Sequence, residues 1–508
     1  MSFATATENQ LGEGTSKLRA NCSGIVALSA RLESWMTEAL SNTPTEIVQS
    51  IEQFGSPLNV IATAPLVRNL RQLESVAAER DLPFKVFFAR KSNKCLAFVD
   101  AAHQAGGGVD VASEQECRQA LDRGVPGPDI ICTAAIKTKA LVELCVANQV
   151  TIAIDNRDEL QRVREIAAAS KATAEIAIRI SGFVHDGEKL HSRFGFDVDE
   201  VQDLASSTLR SIDRKEVRVI GLHFHLDGYC SKQRVSAIRQ CLPLVDHFRS
   251  VGLDVRFVDI GGGLPMSYLE SEQQWNRFWR EHRDALQSKR TELTYRNHGL
   301  GFLPVDGEVH GKRNTYPYWQ NPVRAQWLQH VLDDSACAEQ KADLEPNVPT
   351  IADALRDRSL QLRCEPGRSL LDGCGMTLAR VEFVKQHHSG DHFVGVAMNR
   401  TQCRTGSDDY LVDPVVIRGQ ENDDQTQIEG YLVGAYCTES ELISLRKLRF
   451  PNGIAAGDVI AIPNTAGYFM HFLESRSHQF PLAKNVLAEN NSPLTWRLDE
   501  IDSEHAEK

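Results

Sequence analysis

Eight short apolar runs dominate the middle of the chain, and most are separated by segments in which apolar positions recur with helical periodicity. The runs are rich in β-branched and aromatic residues, as is typical of strands that are buried on both faces. They span residues 84–90, 107–112, 129–133, 151–155, 174–180, 217–225, 255–260 and 360–365. Eight strand and helix units in about 280 residues predict a (β/α)8 barrel.

The segments between the runs carry signals for helices. The clearest lies at residues 113–123, where Ser113 is placed to cap the helix and Glu116 occupies the capping-box position. The same periodicity predicts helices over 137–148, 156–170 and 231–251.

Polar residues or glycines stand at or just beyond the ends of seven of these runs. A barrel places its chemistry at the carboxyl ends of its strands, so these residues are expected to meet at one mouth. They are Lys91, Asp110, Asp155, Arg179, His223 with His225, Gly261–Gly263 and Glu365.

After residue 370 the pattern changes to strand-like segments with few helices, which predicts a separate β domain. The predicted organisation is an N-terminal extension of residues 1–56 that packs on the β domain, a barrel of 57–370 and a β domain of 371–508. An aromatic-rich insertion at about 287–355 interrupts the seventh connection of the barrel and is interpreted as a lid or interface element. The β-domain strands are expected at 376–385, 392–398, 427–433, 457–463 and 467–473.

Composition narrows the class of protein. The 508 residues include 68 acidic and 56 basic side chains, a formal charge of -12, without a dense basic run, which argues against a nucleic-acid or anionic-membrane partner. Residues 1–20 lack the pattern of a secretory signal, and no segment reaches about 18 uninterrupted apolar residues, so a cytoplasmic protein is expected. The twelve cysteines show neither a C-x-x-C pair nor zinc-like spacing, so neither disulfides nor a metal site is expected.

Three of the strand-end features together suit one cofactor. Lys91 offers an amine for a Schiff base, Gly261–Gly263 offer bare backbone amides for a phosphate, and Glu365 offers a carboxylate for a protonated pyridine nitrogen. Pyridoxal phosphate needs these three parts. Each also has a simpler interpretation: a lysine that reaches water, a tight turn, and a buried ion pair of Glu365 with Arg368.

His223 and His225 lie on the same face of the sixth run, because side chains alternate along a strand. One ring could lie against a cofactor. The alternatives are a satisfied core pair or a metal site, for which the sequence shows no obvious third ligand.

With these residues in place, the chain resembles the fold-type III pyridoxal-phosphate decarboxylases, which include diaminopimelate, ornithine, lysine and arginine decarboxylases. The resemblance covers about residues 55–475. It rests on Ala89-Arg90-Lys91-Ser92-Asn93 for the family's lysine motif A-x-K-A-N, on Asp110-Val111-Ala112-Ser113 for its D-x-A-S turn, and on the glycine triplet with Glu365-Pro366-Gly367-Arg368.

The resemblance implies a fold, a cofactor and a set of roles. It implies an alanine racemase-like barrel with a C-terminal β domain, in which Lys91 forms the Schiff base with pyridoxal 5'-phosphate, His225 stacks on the ring and Glu365 meets the pyridine nitrogen. Further residues are implied around the cofactor and the barrel mouth: Asp110, Glu116, Arg179, Gly261, Gly262, Gly263, Gly367, Arg368 and Tyr468.

The β domain is expected to complete the site. Gly434-Ala435-Tyr436-Cys437 is similar to the family's G-P-x-C, whose cysteine enters the site of the partner subunit and returns a proton to the substrate carbon. The resemblance therefore implies a homodimer, with Lys91, His225 and Cys437 as the catalytic residues. Arg368, Glu439 and Tyr468 are expected to face the substrate.

Two positions depart from the family pattern. Where the family reads H-x-G-S, with a serine on the phosphate, this chain reads His225-Leu226-Asp227-Gly228. The family's substrate-selecting acid directly follows the cysteine, whereas here Thr438 comes first and Glu439 second. These departures leave the substrate open: a diamino acid whose distal amine pairs with Glu439, or a larger biosynthetic intermediate.

The leading hypothesis is an amino-acid decarboxylase. An amino-acid racemase on the same barrel is the nearest alternative, although the racemase relatives place an arginine at the pyridine nitrogen. A noncatalytic regulator that resembles these enzymes is the second alternative, suggested by Asp227-Gly228 and the shifted Glu439.

Overall fold

The computed structural model describes residues 14–334, 348–406, 410–419, 426–489 and 495–503. Packing divides the chain into two compact units. The first comprises Met1–Pro65, Met266–Gln320 and Leu371–Lys508, and the second comprises Leu66–Pro265 and Asn321–Leu370. The predicted insertion at 287–355 is shared between both units, and its residues 335–347 lie outside the described part of the chain.

The second unit contains a closed barrel of eight parallel strands. Each strand pairs with the next in chain order, and the last pairs with the first. The strands are β1 (Phe84–Ala89), β2 (Gly108–Val111), β3 (Ile130–Cys132), β4 (Thr151–Ile154), β5 (Ala174–Ser181), β6 (Val217–Phe224), β7 (Phe257–Asp259) and β8 (Gln361–Cys364). The predicted (β/α)8 barrel is confirmed, and every strand falls within its predicted run except β5, which extends one residue further to Ser181.

Helices follow most of these strands along the chain. They are α1 (Ala64–Ala78), α2 (Leu96–Gln104), α3 (Glu114–Asp122), α4 (Lys139–Ala147), α5 (Arg157–Ser170), α6 (Ser231–Ser250), α7 (Arg324–Leu332) and α8 (Ile351–Arg356). The predicted cap of α3 is present, since the hydroxyl of Ser113 accepts a hydrogen bond from the Glu116 amide at 3.1 Å. Shorter elements lie at Val184–His185, Glu188–Lys189, Phe196–Asp197 and Val201–Asp203.

The first unit is built around a ten-stranded sheet. Its main path runs through Ser23–Gly24, Leu448–Phe450, Ile428–Val433, His392–Val396, Gly375–Gln386, Leu58–Ile61, Lys484–Glu489 and Thr495–Leu498. Val459–Pro463 pairs with Gly375–Gln386, and Val415–Ile417 pairs with Val459–Pro463. A separate hairpin joins Phe302–Val305 to Glu308–Gly311, and helices lie at Ser34–Asn42, Pro44–Phe54, Glu272–Leu286 and Glu500–Ser503.

One predicted strand of this unit is wrong. Residues 467–473 form turns, because Tyr468 takes a left-handed φ of 73° and the amide of Phe472 donates to the Tyr468 carbonyl at 2.9 Å. The apolar residues from Tyr468 to Met470 lie in these turns and not in an extended strand, yet they contribute to the core. The ring centroids of Phe469 and Tyr410, for example, lie 5.1 Å apart.

A buried ion pair fixes the N-terminal segment within the first unit. Nη1 of Arg446 lies 2.6 Å from Oδ1 of Asp413, and both side chains are almost fully buried. The Asp413 carboxylate also accepts hydrogen bonds from the amides of Gly24 at 2.9 Å and Leu28 at 2.8 Å. Removing either charged partner would leave the other buried and uncompensated.

Candidate active site

Lys91 lies in a short 3-10 turn, Arg90–Ser92, directly after β1. Its Nζ is 2.8 Å from Oδ2 of Asp110, a fully buried residue at the end of β2. The Lys91 side chain itself remains 35% exposed. The amine is thus held in place by a buried carboxylate while it stays accessible, which suits a lysine that reacts with a carbonyl.

Thr133 completes this contact and was missed by the sequence analysis. Its hydroxyl donates to Oδ1 of Asp110 at 2.5 Å and lies 3.5 Å from Nζ of Lys91. It directly follows β3, the one strand to which no polar residue was assigned. A hydroxyl residue at that strand end was the signal that could have identified it.

Three buried titratable residues meet inside the barrel: His223 on β6, Asp259 on β7 and Glu365 after β8. Their ligand atoms lie within 4.8 Å of one another, and Nε2 of His223 is 3.2 Å from Oε1 of Glu365. This contact lacks hydrogen-bond geometry. Oε1 of Glu365 and both ring nitrogens of His223 therefore have no hydrogen-bond partner among the described residues.

Burial determines the protonation of this trio. It raises the pKa of Glu365 to about 8, with the charge of Asp110 adding to the effect, and it raises the pKa of Asp259 to about 7, with Glu365 adding to it. Burial also lowers the pKa of His223 to about 3. Near neutral pH the imidazole is therefore uncharged, and the carboxyl of Glu365 holds a proton.

The trio could hold a metal ion, since it supplies one nitrogen and two carboxylate ligands. The expectation that the histidines lack a third metal ligand nearby is wrong, because the barrel brings Asp259 and Glu365 to His223. A carboxyl with a free oxygen could equally meet a ring nitrogen.

His225 lies just beyond β6, and its ring is fixed by the glycine loop. The Gly262 amide donates to Nδ1 of His225 at 3.1 Å, which places the ring proton of the neutral imidazole on Nε2. Burial, with the charge of Arg234 second, holds the pKa of His225 well below its usual value. An uncharged, partly exposed ring in a fixed orientation is suited to lie against a flat ligand.

The triplet Gly261–Gly263 follows β7 and packs tightly against neighbouring backbone. Gly261 and Gly263 have φ values of 64° and 80°, which favour glycine. A Cβ on Gly262 would lie 2.8 Å from the carbonyl oxygen of Glu365. The loop is held by Asp259, whose Oδ1 accepts from the Gly261 amide at 2.9 Å, and by His225, which accepts from the Gly262 amide. The tight-turn interpretation therefore accounts for these two amides.

Arg234 on α6 is a second residue that the sequence analysis missed. It is fully buried, and its Nη2 donates to the carbonyls of Leu226 at 3.0 Å, Gly228 at 3.2 Å and Gly262 at 3.0 Å. One guanidinium thus joins the loops that follow β6 and β7. Its position on the apolar face of α6, one turn before Ile238, was the available signal.

The remaining predicted barrel residues lie in the same unit. Nη1 of Arg179 is 3.5 Å from Oδ1 of Asp155, and its guanidinium stacks on Phe194 at 4.2 Å. Glu116 accepts from the Ala112 amide at 2.6 Å. Gly367 and the half-buried Arg368 follow Glu365 in the loop after β8.

Three predicted site residues belong to the first unit. Cys437 and Glu439 are exposed, and Tyr468 is half-buried in its turn. Glu441, two residues further on, is buried and accepts from the Arg400 amide at 2.7 Å. The Glu441 carboxylate is thus hydrogen-bonded inside the first unit, whereas the Glu439 side chain is exposed on the surface of that unit.

A (β/α)8 barrel with a lysine, a glycine loop and a buried acid at its strand ends has the architecture of the barrel enzymes, whose chemistry lies at the carboxyl ends of the strands. Among the described residues, no helix has the length and apolar character needed to cross a bilayer.

Comparison with known proteins identifies the family within this class. Residues 65–295 match the family model described as pyridoxal-dependent decarboxylase, pyridoxal binding domain. An uncharacterized protein, y4yA, of Sinorhizobium fredii is 30% identical over 84% of this chain and 86% of its own length. The diaminopimelate decarboxylase of Pseudomonas aeruginosa is 22% identical over 82% of this chain and 84% of its own.

The fold is shared with solved decarboxylases. The crystal structure of diaminopimelate decarboxylase from M. jannaschii in complex with L-lysine superimposes with a TM-score of 0.63 at 19% identity, over 89% of this chain and 91% of that one. The chain belongs to the fold-type III family of pyridoxal-dependent decarboxylases and is an enzyme of the amino-acid decarboxylase class. The predicted family and fold class are confirmed.

Proposed function

We propose that this chain binds pyridoxal 5'-phosphate through Lys91 and removes the α-carboxylate of a diamino acid or a related biosynthetic intermediate. The observation that carries the proposal is that Lys91, held by Asp110, and Glu365, with a free carboxyl oxygen, both follow strands of one barrel at the same end. The family match supports the cofactor.

The residues fit this cofactor. Oε1 of Glu365 lacks a partner that a protonated ring nitrogen would supply. Gly261–Gly263 carry no side chains beside the neutral ring of His225, and the amides of Gly261 and Gly262 already donate to Asp259 and His225. Bound there, the pyridoxal ring supplies an electron sink for the electron pair that remains when the carboxylate leaves. Gly367, Arg368 and Tyr468 are proposed to complete the phosphate region.

The residues of the chain would each perform one task. Lys91 would hold the cofactor at its aldehyde carbon through the side-chain amine. Asp110 and Thr133 orient its Nζ, and Arg179 supports the barrel mouth.

The Glu365 carboxyl would hold the ring nitrogen of the cofactor and would supply the proton that keeps it charged. His225 would restrain the ring with the tautomer that Gly262 sets.

Cys437 is proposed to return a proton to the α carbon from the partner subunit of a homodimer, because it is exposed within its own unit. Arg368, Glu439 and Tyr468 are proposed to face the substrate, with Glu439 pairing with a distal amine. The domain boundaries at residues 56 and 370, the homodimer and a cytoplasmic location are parts of the same proposal.

Reconstitution with the cofactor tests this function. Lys91→Ala should abolish both the absorbance of the lysine-bound cofactor and turnover, whereas Lys139→Ala, an exposed lysine of the same unit, should leave both unchanged. Full turnover in the Lys91 variant would overturn the assignment.

A substrate screen separates decarboxylation from its alternatives. Diaminopimelate, lysine, ornithine and arginine are assayed for release of carbon dioxide and for formation of the opposite enantiomer. Release of carbon dioxide supports the proposal, whereas the opposite enantiomer alone identifies a racemase. A chain that cannot take up the cofactor would instead be the noncatalytic regulator.

A further inference from the structure

A cleft lies at the rim of the barrel opposite to Lys91, where β6 and β7 begin. It has a volume of about 450 Å³ and is lined by residues from 209–219, before and at the start of β6, and from 251–256, between α6 and β7. Pockets that hold small molecules have volumes of about 300–1,000 Å³. The cleft is therefore large enough for a small ligand, and it lies entirely within the second unit.

The charged residues that line this cleft are almost all basic. They comprise four arginines and one acid, and the residues are Arg210, Arg214, Arg218, Arg256 and Asp254. Since the arginines are spread between residues 210 and 256, they form no dense basic run in the sequence, and the fold brings them to one cleft. In a chain with a formal charge of -12, such a local concentration of cations favours an anionic ligand.

Two of the four guanidinium groups remain available to a ligand. Arg218 and Arg256 each pair with a carboxylate of the same unit. Arg210 and Arg214 are exposed and form no ion pair or side-chain hydrogen bond with another described residue. A Cβ on Gly252 would lie 2.7 Å from Nη2 of Arg214, so this guanidinium lies directly over bare backbone. A planar guanidinium with free donors suits a phosphate group, which it can bind through two parallel hydrogen bonds.

The floor of the cleft is apolar. Ile212, Val219 and Leu253 line it and are almost fully buried. An inorganic anion at the arginines would leave this apolar surface in contact with water, whereas an organic group attached to the anion would cover it. The lining therefore fits a ligand with a phosphate group at one end and an apolar body at the other.

We propose that this cleft binds a small organic phosphate ester, with its phosphate on Arg210 and Arg214 and its apolar body against Ile212, Val219 and Leu253. The ester is held there and not converted, because Lys91 lies at the opposite rim of the barrel. This inference goes beyond the proposed function and does not depend on it.

The test measures the binding of phenyl phosphate, inorganic phosphate and benzyl alcohol to the full-length protein by calorimetry at constant ionic strength. The protein is first saturated with pyridoxal 5'-phosphate and freed of the excess, so that the proposed cofactor site is filled. Phenyl phosphate should bind with a dissociation constant of about 1 mM or below, and each of the other two ligands about tenfold or more weakly. Such a pattern shows that the charged and the apolar parts of the cleft act on the same ligand.

Substitution of the two available arginines assigns the binding to the cleft. The double variant Arg210→Met with Arg214→Met should lower the affinity for phenyl phosphate about tenfold or more, and the exposure of both residues makes a folding defect improbable to begin with. The matched control is the double variant Arg71→Met with Arg118→Met. It removes the same number of charges from surface ion pairs of the same unit, outside the cleft, and should keep the affinity within about twofold.

Three results would overturn the inference: no saturable binding of phenyl phosphate, equal affinity in wild type and the Arg210 and Arg214 double variant, or equal affinity for phenyl phosphate and inorganic phosphate. A protein that takes up no pyridoxal 5'-phosphate contradicts the proposed function instead. The titration with phenyl phosphate still decides on the cleft in that case, because the two double variants show where the ester binds.

Discussion

Glu365 predicts an unusual pH dependence for the stability of the cofactor-free protein. Its folded-state pKa is about 8, whereas the ordinary value is 4.5, so between these values the folded chain holds a proton that the unfolded chain has released. Stability must therefore fall as the pH rises through this range, which is the opposite of the behaviour of a salt-bridged acid. Replacing Glu365 by glutamine removes the titrating group and should remove the fall.

The magnitude follows from proton linkage. One carboxyl in this state costs up to about 1.4 kcal/mol of unfolding free energy for each pH unit, or about 2 kcal/mol from pH 6.5 to 8. Asp259, with its pKa raised to about 7, contributes mainly in the lower part of this window and less between pH 7 and 8. His223, with a pKa lowered to about 3, is uncharged throughout the window. Between pH 7 and 8 Glu365 therefore makes the larger contribution, and the Asp259→Asn variant removes the smaller one.

Urea unfolding of the cofactor-free protein at pH 6.5, 7, 7.5 and 8 measures the effect. Wild type should lose stability across the series, Glu365→Gln should stay nearly constant above pH 7, and Asp259→Asn should keep the loss between pH 7 and 8. Saturation with pyridoxal 5'-phosphate should remove the loss in wild type, because a protonated ring nitrogen stabilises the charged carboxylate. If the free energy of unfolding changed with pH in the same way in wild type and in Glu365→Gln, the reasoning would be refuted.

Three further substitutions test the packing of the site and of the first unit. Thr133→Val should cost about 1 to 3 kcal/mol in chemical denaturation, because the buried Asp110 loses a short hydrogen bond; an unchanged midpoint would contradict this. Gly262→Ala places a Cβ 2.8 Å from a backbone carbonyl oxygen and should weaken cofactor binding about tenfold or more in a titration, whereas equal affinity would show that the loop can yield. Arg446→Met should cost about 3 to 5 kcal/mol in thermal unfolding, and the double variant with Asp413→Asn should recover most of it; a double variant as unstable as the single would argue against the buried pair.

The barrel could be predicted because its strands are buried on both faces. In the sequence, such strands form continuous apolar runs that are bounded by polar residues. Ile130–Cys132, which is followed by Thr133, is an example. The same criterion failed at Tyr468 to Met470, where an apolar run contributes side chains to a core from a turn. The strand Leu448–Phe450 was missed because Arg449 interrupts its apolar residues, so it forms no continuous apolar run.

Only those site residues could be predicted from the sequence that lie at or near the ends of predicted strands. Lys91, Asp110 and Glu365 do so, and the barrel brings them to one end by its topology. Arg234 comes from a helix. Asp259 is the last residue of β7 but lies inside the predicted run 255–260, so it was not singled out. Protonation could not be predicted either, because the pKa of Glu365 depends on burial and on charges far away in sequence.

The buried trio allows a metal ion and a ring nitrogen to be distinguished by one substitution. A metal ion would need its ligands deprotonated and would draw on His223, Asp259 and Glu365 together. A ring nitrogen needs only one free carboxyl oxygen, such as Oε1 of Glu365. Oδ1 of Asp259 is engaged with the Gly261 amide, and its Oδ2 has no hydrogen-bond partner among the described residues. Asp259→Asn keeps an acceptor for that amide, so it should retain cofactor binding within about threefold, whereas a metal site should lose at least about tenfold in affinity. Titration of this variant with pyridoxal 5'-phosphate and with Zn²⁺ decides between them, and retained Zn²⁺ affinity with lost cofactor affinity would reverse the assignment of Glu365.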